Sequence, residues 1–363
     1  MKKIFLTTIT LLSMASASVF GMYGVDTDWI FFLTHGNQFR ARLDQLGFTL
    51  GNDTIKGTFG FFNNGRGTYG SMLSESTTPD PTTGDAIRVE GSYDFTPTIS
   101  MGLAYTSSLI SVGVGYNATI GQKWTKNNGK KTEAVVHTPV LVLNAMDNAF
   151  RMAIPIQVYA DGDTNAVSVD SQFRYYTGLD MFPEIRLYLR YGSFTTKTGG
   201  VTSKEGESFG FDFRLYFGSM VEEVALKPYV KLVYNGALGK YHDNTRVEAV
   251  KVMKKQQSGS PVIFAKSAWD LNLVAGLGLT ANSDIVSLYL EPSLGLKVNQ
   301  AGSTDKNAKE TYDLGYGVYA EIYITPLKNL EWYFEASIDN LYANTKGVSF
   351  AGSTGITWYL PAL

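Results

Sequence analysis

Leu330-Glu331-Trp332-Tyr333-Phe334-Glu335-Ala336-Ser337-Ile338-Asp339 alternates without a break. Leu330, Trp332, Phe334, Ala336 and Ile338 share one parity, and Glu331, Tyr333, Glu335, Ser337 and Asp339 share the other. Successive side chains of a strand point to opposite faces, so this segment has one greasy face and one charged face. About ten residues of such alternation suit a tilted strand that separates lipid from water. A soluble sandwich carries a few strands of this kind. Here the pattern recurs along the chain with no helical period between, which predicts an all-β fold: a transmembrane antiparallel β-barrel of the outer-membrane type.

The same alternation runs from Gln38, where Phe39, Ala41 and Leu43 oppose Arg40, Arg42 and Asp44. It returns at Thr54–Phe62, Asp85–Phe95, Thr98–Tyr116, Ala134–Ala145, Ala149–Tyr159, Ala166–Tyr176, Glu184–Gly192, Glu207–Phe217 and Ala225–Asn235. Ala265–Thr280, Asp284–Val298, Tyr312–Ile324, Leu330–Asp339 and Val348–Leu360 complete the series. That is about fifteen strands, and the even number usual for such barrels gives about 14–16. Thr98–Tyr116 switches parity near Thr106-Ser107-Ser108 and reads as one bulged strand or two short ones. Trp29–Gly36 reads as an extra strand, a short helix or an inward plug.

Tight turns are predicted at Gly51-Asn52-Asp53, Thr96-Pro97, Met146-Asp147-Asn148, Asn282-Ser283 and Thr325–Asn329, where turn-forming residues cluster. Long connections are predicted at Asn63–Gly84, Asn117–Glu133, Ser193–Gly206, Gly236–Phe264, Asn299–Thr311 and Asn340–Gly347, the fourth with a small hairpin around Thr245–Met253. Barrels of this class keep short turns at the periplasm and long loops outside, so the long set should form the cell-surface rim.

Composition agrees. The chain opens Met1-Lys2-Lys3, runs apolar from Ile4 to Met14 and turns small at Ala15-Ser16-Ala17-Ser18, the pattern of a secretory signal peptide. Cleavage is expected after residue 17 or 21, leaving residues 22–363 as a single barrel domain. The apolar run is too short to cross a bilayer as a helix. With 0 Cys there is no disulfide, thiolate metal site or cysteine nucleophile. A mean hydropathy of -0.06 suits a barrel, because inward polar residues dilute each strand. The net charge of -2 argues against a nucleic-acid binder. The 22 Tyr and 21 Phe supply material for interfacial girdles.

Charges on the lipid face would cost about 2–4 kcal/mol each near the midplane. The charged parity must therefore face the lumen. It carries Arg40, Arg42, Glu184, Arg186, Arg190, Asp212, Arg214, Asp270, Glu291 and Glu321, with Tyr188, Gly210, Tyr216, Asn272, Lys297 and Asp313 among them. These are candidate pore-lining residues: a mixed-sign wall sets a transverse field in a pore, or its charges pair across neighbouring strands in a wet interior. A barrel of this width is too large for side chains to fill, so water should enter.

The three histidines, His35, His137 and His242, lie far apart; only His242-Asp243, in the longest loop, hints at catalysis, and no two histidines sit at ligand spacing. No enzymatic role, metal or cofactor is expected. Lys123, Lys126, Lys130, Lys131, Lys251, Lys254 and Lys255 read as solvated loop charge. Expected partners are outer-membrane lipids, the barrel-assembly machinery and, at the loops, host antibodies or surface ligands; a homo-oligomer is left open. The closing segment Gly355–Leu360 resembles a barrel insertion signal, with Pro361-Ala362-Leu363 after the aromatic residues where such signals end on one.

Met22-Tyr23-Gly24, Asp28-Trp29-Ile30 and the run from Phe32 to Phe48, FLTHGNQFRARLDQLGF, resemble the variable surface proteins of Brachyspira, an intestinal spirochaete. The resemblance implies an abundant outer-membrane antigen with variable loops, favours cleavage after Gly21, and carries over no catalytic or ligand residue. Two functions follow as expectations: a surface antigen with porin-like conduction of small solutes, or a non-conducting scaffold for immune evasion or adhesion, plugged by Met22–Gly36 or by an inward-folded loop.

Overall fold

A computed structural model describes residues 28–42, 45–63, 76–79, 86–89, 96–124, 131–239, 244–254, 262–340 and 349–361. The strands are β1 (Gln38–Arg42), β2 (Gln45–Gly51), β3 (Ile55–Asn63), β4 (Ser76–Pro79), β5 (Ala86–Val89), β6 (Pro97–Tyr105), β7 (Ile110–Trp124), β8 (Lys131–Ala145), β9 (Phe150–Ala160) and β10 (Thr164–Leu179). They continue as β11 (Phe182–Thr198), β12 (Val201–Tyr216), β13 (Ser219–Val221), β14 (Val224–Ala237), β15 (Trp269–Asn282), β16 (Val286–Gln300), β17 (Thr311–Leu327), β18 (Leu330–Asp339) and β19 (Ser349–Tyr359). One short helix, α1 (Ala249–Lys254), lies between β14 and β15, and a 3₁₀ turn, Asp28–Phe31, precedes β1.

Every wall strand pairs antiparallel with its neighbours, and β1 pairs with both β2 and β19, which closes the sheet. The short β13 carries the line of β12 onward along β14, so the wall is a 16-stranded closed antiparallel β-barrel. Closure matters physically: an open edge in lipid would leave unpaired backbone groups with no water to satisfy them.

Three corrections to the sequence reading produce the even number. Of the strand read at Asp85–Phe95, the described part, Ala86–Val89, is not in the wall: it is β5 and pairs with β4 in a separate two-stranded sheet, while residues 85 and 90–95 lie outside the described set. Its alternation reports a two-sided hairpin, which need not touch lipid. Accordingly Thr96-Pro97 is the entry to β6, not a turn between wall strands. Thr98–Tyr116 is two strands, β6 and β7, joined through residues 106–109, where Ser107 Oγ accepts from Ile110 N at 3.2 Å and Ser111 Oγ accepts from Ser107 N at 3.0 Å. The segment from Gln38 is also two strands: the outward parity of Phe39 and Ala41 on β1 passes to Leu46 and Phe48 on β2, which pairs with it antiparallel.

All connections at one end of the barrel are short, two to four residues, and every longer one falls at the other end. At the long-loop end, Asn117–Glu133 and Ser193–Gly206 are mostly strand. β10–β12 run 16, 17 and 16 residues, more than a bilayer needs, and turn through Gly199-Gly200, both at positive φ. The hairpin foreseen near Thr245–Met253 is the helix α1.

The outward parity is apolar and exposed, as Leu288, Leu290, Leu294 and Leu296 on β16 show. Tyr105, Tyr175, Phe217, Trp332 and Trp358 point outward near the short-turn end, in the position of an interfacial aromatic girdle.

Candidate functional site: the barrel interior

All ten sequence-picked residues, Arg40, Arg42, Glu184, Arg186, Arg190, Asp212, Arg214, Asp270, Glu291 and Glu321, lie on the inward parity of their strands. The alternation placed them; what each one meets depends on the neighbouring strands and on two interior elements.

The first interior element is the segment that leads into β1. Trp29, Ile30, Phe31, Phe32 and Leu33 are buried against Ala104, Val140, Val142 and Ala153 of the inner wall. Of the three readings of Trp29–Gly36, the structure selects the inward one, built on the 3₁₀ turn. Trp29 seats here because the wall beneath it carries glycine: a Cβ at Gly102 would meet the Trp29 ring at 2.8 Å, and one at Gly115 would overlap the same indole. Trp29 and Phe32 pack edge to face at 5.5 Å. The wall also supplies cations. Lys56 Nζ donates to the carbonyls of Leu33 and His35 at 2.9 and 2.8 Å, and the Arg174 guanidinium stands 4.4 Å over the Phe31 ring. His35 stacks on Phe31, and burial, together with Arg40, Lys56 and Arg151, holds its imidazole well below its ordinary range.

The second element is the connection between β14 and β15, which folds into the long-loop half of the lumen. Val247, Ala249, Val252 and Met253 pack on Val136, Tyr159, Ala166 and Phe194. Wall side chains fix its backbone: Val247 N donates to Ser208 Oγ at 2.7 Å and Ala249 N to Ser168 Oγ at 3.0 Å. Arg246 Nη2 reaches Asp170 at 2.7 Å beside Arg190 Nε at 3.1 Å. The Val247 carbonyl lies so close to Gly192 that a side chain there has no room. Gly192→Val will therefore expel α1 from the wall while leaving the barrel folded. Trypsin should cut at the exposed Lys251 faster in the variant than in the parent, with gel migration of the folded barrel preserved; equal rates would show that the helix is not held through this contact.

Both elements cover one arc, from β3 round to β12. On that arc each buried carboxylate lies between two cations. Glu184 accepts from Arg186 Nε at 2.6 Å and Lys227 Nζ at 2.9 Å. Asp212 accepts from Arg214 Nη2 at 2.7 Å, with Lys231 Nζ at 3.7 Å. Asp170 holds Arg190 and Arg246. The pairing foreseen across neighbouring strands is present at Asp170–Arg190 and Asp212–Lys231, and pairing along a strand between residues two apart, at Glu184–Arg186 and Asp212–Arg214, adds to it.

The other arc, β14 to β19 and on to β2, carries no interior element among the described residues. Its carboxylates are met mostly by tyrosine. Glu291 accepts from Tyr289 and, at 2.9 Å, from Tyr229; Glu321 accepts from Tyr319 and, at 3.0 Å, from Tyr323. Glu335, which the sequence reading did not single out, accepts from Arg42 and, at 3.2 Å, from Tyr319. Asp270 accepts from Asn235 Nδ2 at 3.0 Å. Several of these rings lie against glycines of the next strand, Tyr229 over Gly276 and Tyr333 over Gly355, which keeps bulky side chains flat on the wall. Asp170 and Lys227 were likewise missed; both sit on the inward parity, the one signal that could have found them.

His137 bonds Tyr116 on the outer face and His35 is in the plug, so the two share no site. His242 and Asp243 lie outside the described residues, as do Lys126, Lys130, Lys255 and residues 1–27, where the signal peptide was expected. Lys251 pairs with Glu248 at 3.0 Å. Among the described residues no group of acids and histidines could hold a metal ion.

No curated protein matches the chain. Among solved structures it is similar to a bacterial polysaccharide outer-membrane secretin (8% identity, 90% of this chain and 99% of that one, TM-score 0.49). It is also similar to the translocator domain of the autotransporter NalP from Neisseria meningitidis (14% identity, 90% and 91%, TM-score 0.32) and to OmpT of Vibrio cholerae (11% identity, 86% and 100%, TM-score 0.32). The family model of the Serpulina hyodysenteriae variable surface protein matches residues 2–359, and residue 359 is the last of β19. A closed barrel with a greasy outer face, its long loops gathered at one rim, and a family match over nearly its whole length lead to one conclusion: the chain belongs to the Serpulina hyodysenteriae variable surface protein family and is an outer-membrane β-barrel surface protein.

Proposed function

We propose that the barrel conducts small solutes passively while its loop rim serves as a variable surface antigen met by host antibodies. One observation carries the first half. Both interior elements lie on the arc from β3 to β12, and none of the described residues covers the facing arc, where polar and charged side chains line the wall. A wall of Glu, Tyr, Arg and Asn is chemistry for water and solutes; a sealed core would call for apolar residues. The reading assigns no catalytic step and needs no cofactor. It places outer-membrane lipids around the barrel and the assembly machinery before it.

The second reading, a non-conducting scaffold, is favoured by the close seating of Trp29 on Gly102 and Gly115, a fit that narrows the short-turn end. Current from the refolded mature protein in a planar bilayer separates the two. Discrete steps that scale with salt are the expected result. A silent bilayer from protein that shows heat-modifiable gel migration would move the function to the loops alone.

A further inference from the structure

We infer that the solute path along β16–β18 selects small cations; the inference rests on the conduction proposed above. The two arcs of the wall differ in charge. On the covered arc, Glu184, Asp212 and Asp170 each sit between two cations, so the local charge is balanced or positive. On the uncovered arc, Glu291, Glu321 and Glu335 stand in a row on three adjacent strands. The register sets Glu321 directly opposite Glu335, and Glu291 opposite Tyr319.

Like charges directly opposite one another destabilise a sheet unless something offsets them. Tyrosine hydroxyls do most of that work here: Tyr229, Tyr289, Tyr319 and Tyr323 all donate to the row. A hydroxyl satisfies a carboxylate oxygen without cancelling its charge. Among the ion pairs of the described residues, Arg42 with Glu335 is the one that reaches the row. Toward the loop end, Asp313 on β17 and Asp339 on β18 extend the excess, with Lys297 of β16 near them. The negative side of the lumen is therefore the side that neither the plug nor α1 covers. Carboxylates set in low-dielectric walls focus their field into the channel and concentrate counter-ions, as acidic rings do in cation channels.

The test is the reversal potential of the refolded full-length mature barrel in a potassium chloride gradient. Potassium should be favoured over chloride by about tenfold, the low end of what a focused potential does to local counter-ion concentration. Glu291→Gln with Glu321→Gln, which keeps acceptor oxygens for the tyrosines, should bring the ratio close to one at similar current. If that pair fails to assemble, Glu291→Gln alone decides, since its carboxylate accepts from two tyrosines and no cation. A channel that is open but unselective or anion-selective overturns this inference and leaves conduction standing, and so does selectivity unchanged by Glu291→Gln. A silent bilayer from folded protein overturns both.

Discussion

Trp29→Ala is expected to release the interior segment and raise the single-channel current of an otherwise intact barrel. Trp29 is fully buried in a groove floored by Gly102 and Gly115, and its partners are Phe32 and the wall. Truncating a buried tryptophan costs about 3–5 kcal/mol, or roughly two to three and a half powers of ten in an equilibrium constant. That cost falls on docking of the segment, because the wall hydrogen bonds of β6 and β7 do not pass through it. Acid should act in the same direction. The docked His35 resists protonation because it is buried and faces Arg40, Lys56 and Arg151, whereas in a released segment it would titrate near about 6.5. The docked state thus binds fewer protons, so docking is at full strength above that range and weakens as pH falls through it. The parent current should rise at mildly acidic pH, and His35→Gln should remove that part of the rise. A Trp29→Ala channel with the parent's current at every pH would show that the segment does not limit the path.

The second large effect concerns folding. Glu184→Gln should sharply lower the temperature at which the barrel loses its folded gel migration, and lower its assembly yield. Glu184 is 1% exposed and takes charge-assisted bonds from Arg186 and Lys227. Removing its charge leaves two cations side by side without the carboxylate they share, and breaking a buried pair in this way costs about 3–5 kcal/mol. Asp313→Asn, on the same barrel but exposed near the loop end, should be close to neutral, as surface charges usually are. Equal behaviour of the two variants would mean that water reaches Glu184 and Arg186 freely, and that this part of the interior is a wet wall rather than a polar core.

The fold was legible because a membrane strand must declare itself locally. Leu330–Asp339 needs no distant partner to show that one face meets lipid and the other does not. The same logic placed Arg186, Arg214 and Glu291 correctly on the inside. It failed where alternation has a second cause, at Ala86–Val89, and where the outward parity changes between β1 and β2. It put Glu335 on the charged face without choosing it for the pore lining, and passed over Asp170; both share the inward parity of the chosen residues but gain their meaning from Arg42, Arg190 and Arg246. It offered the plug as one of three readings but could not choose it, and α1 was beyond it: nothing within Trp29–Leu33 says that Gly102 and Gly115 will leave a groove of the right depth.

The amino-acid sequence alone therefore determined that this chain is a lipid-facing barrel with a charged interior and one looped rim, because side-chain direction in a strand has period two and the cost of charge in hydrocarbon leaves no other arrangement. Tertiary structure alone decided which charges meet, which arc is covered and which stays negative. Closing β1 on β19 brings Arg42 to Glu335, 293 residues away, and such contacts depend on the stagger of the whole sheet rather than on any one strand.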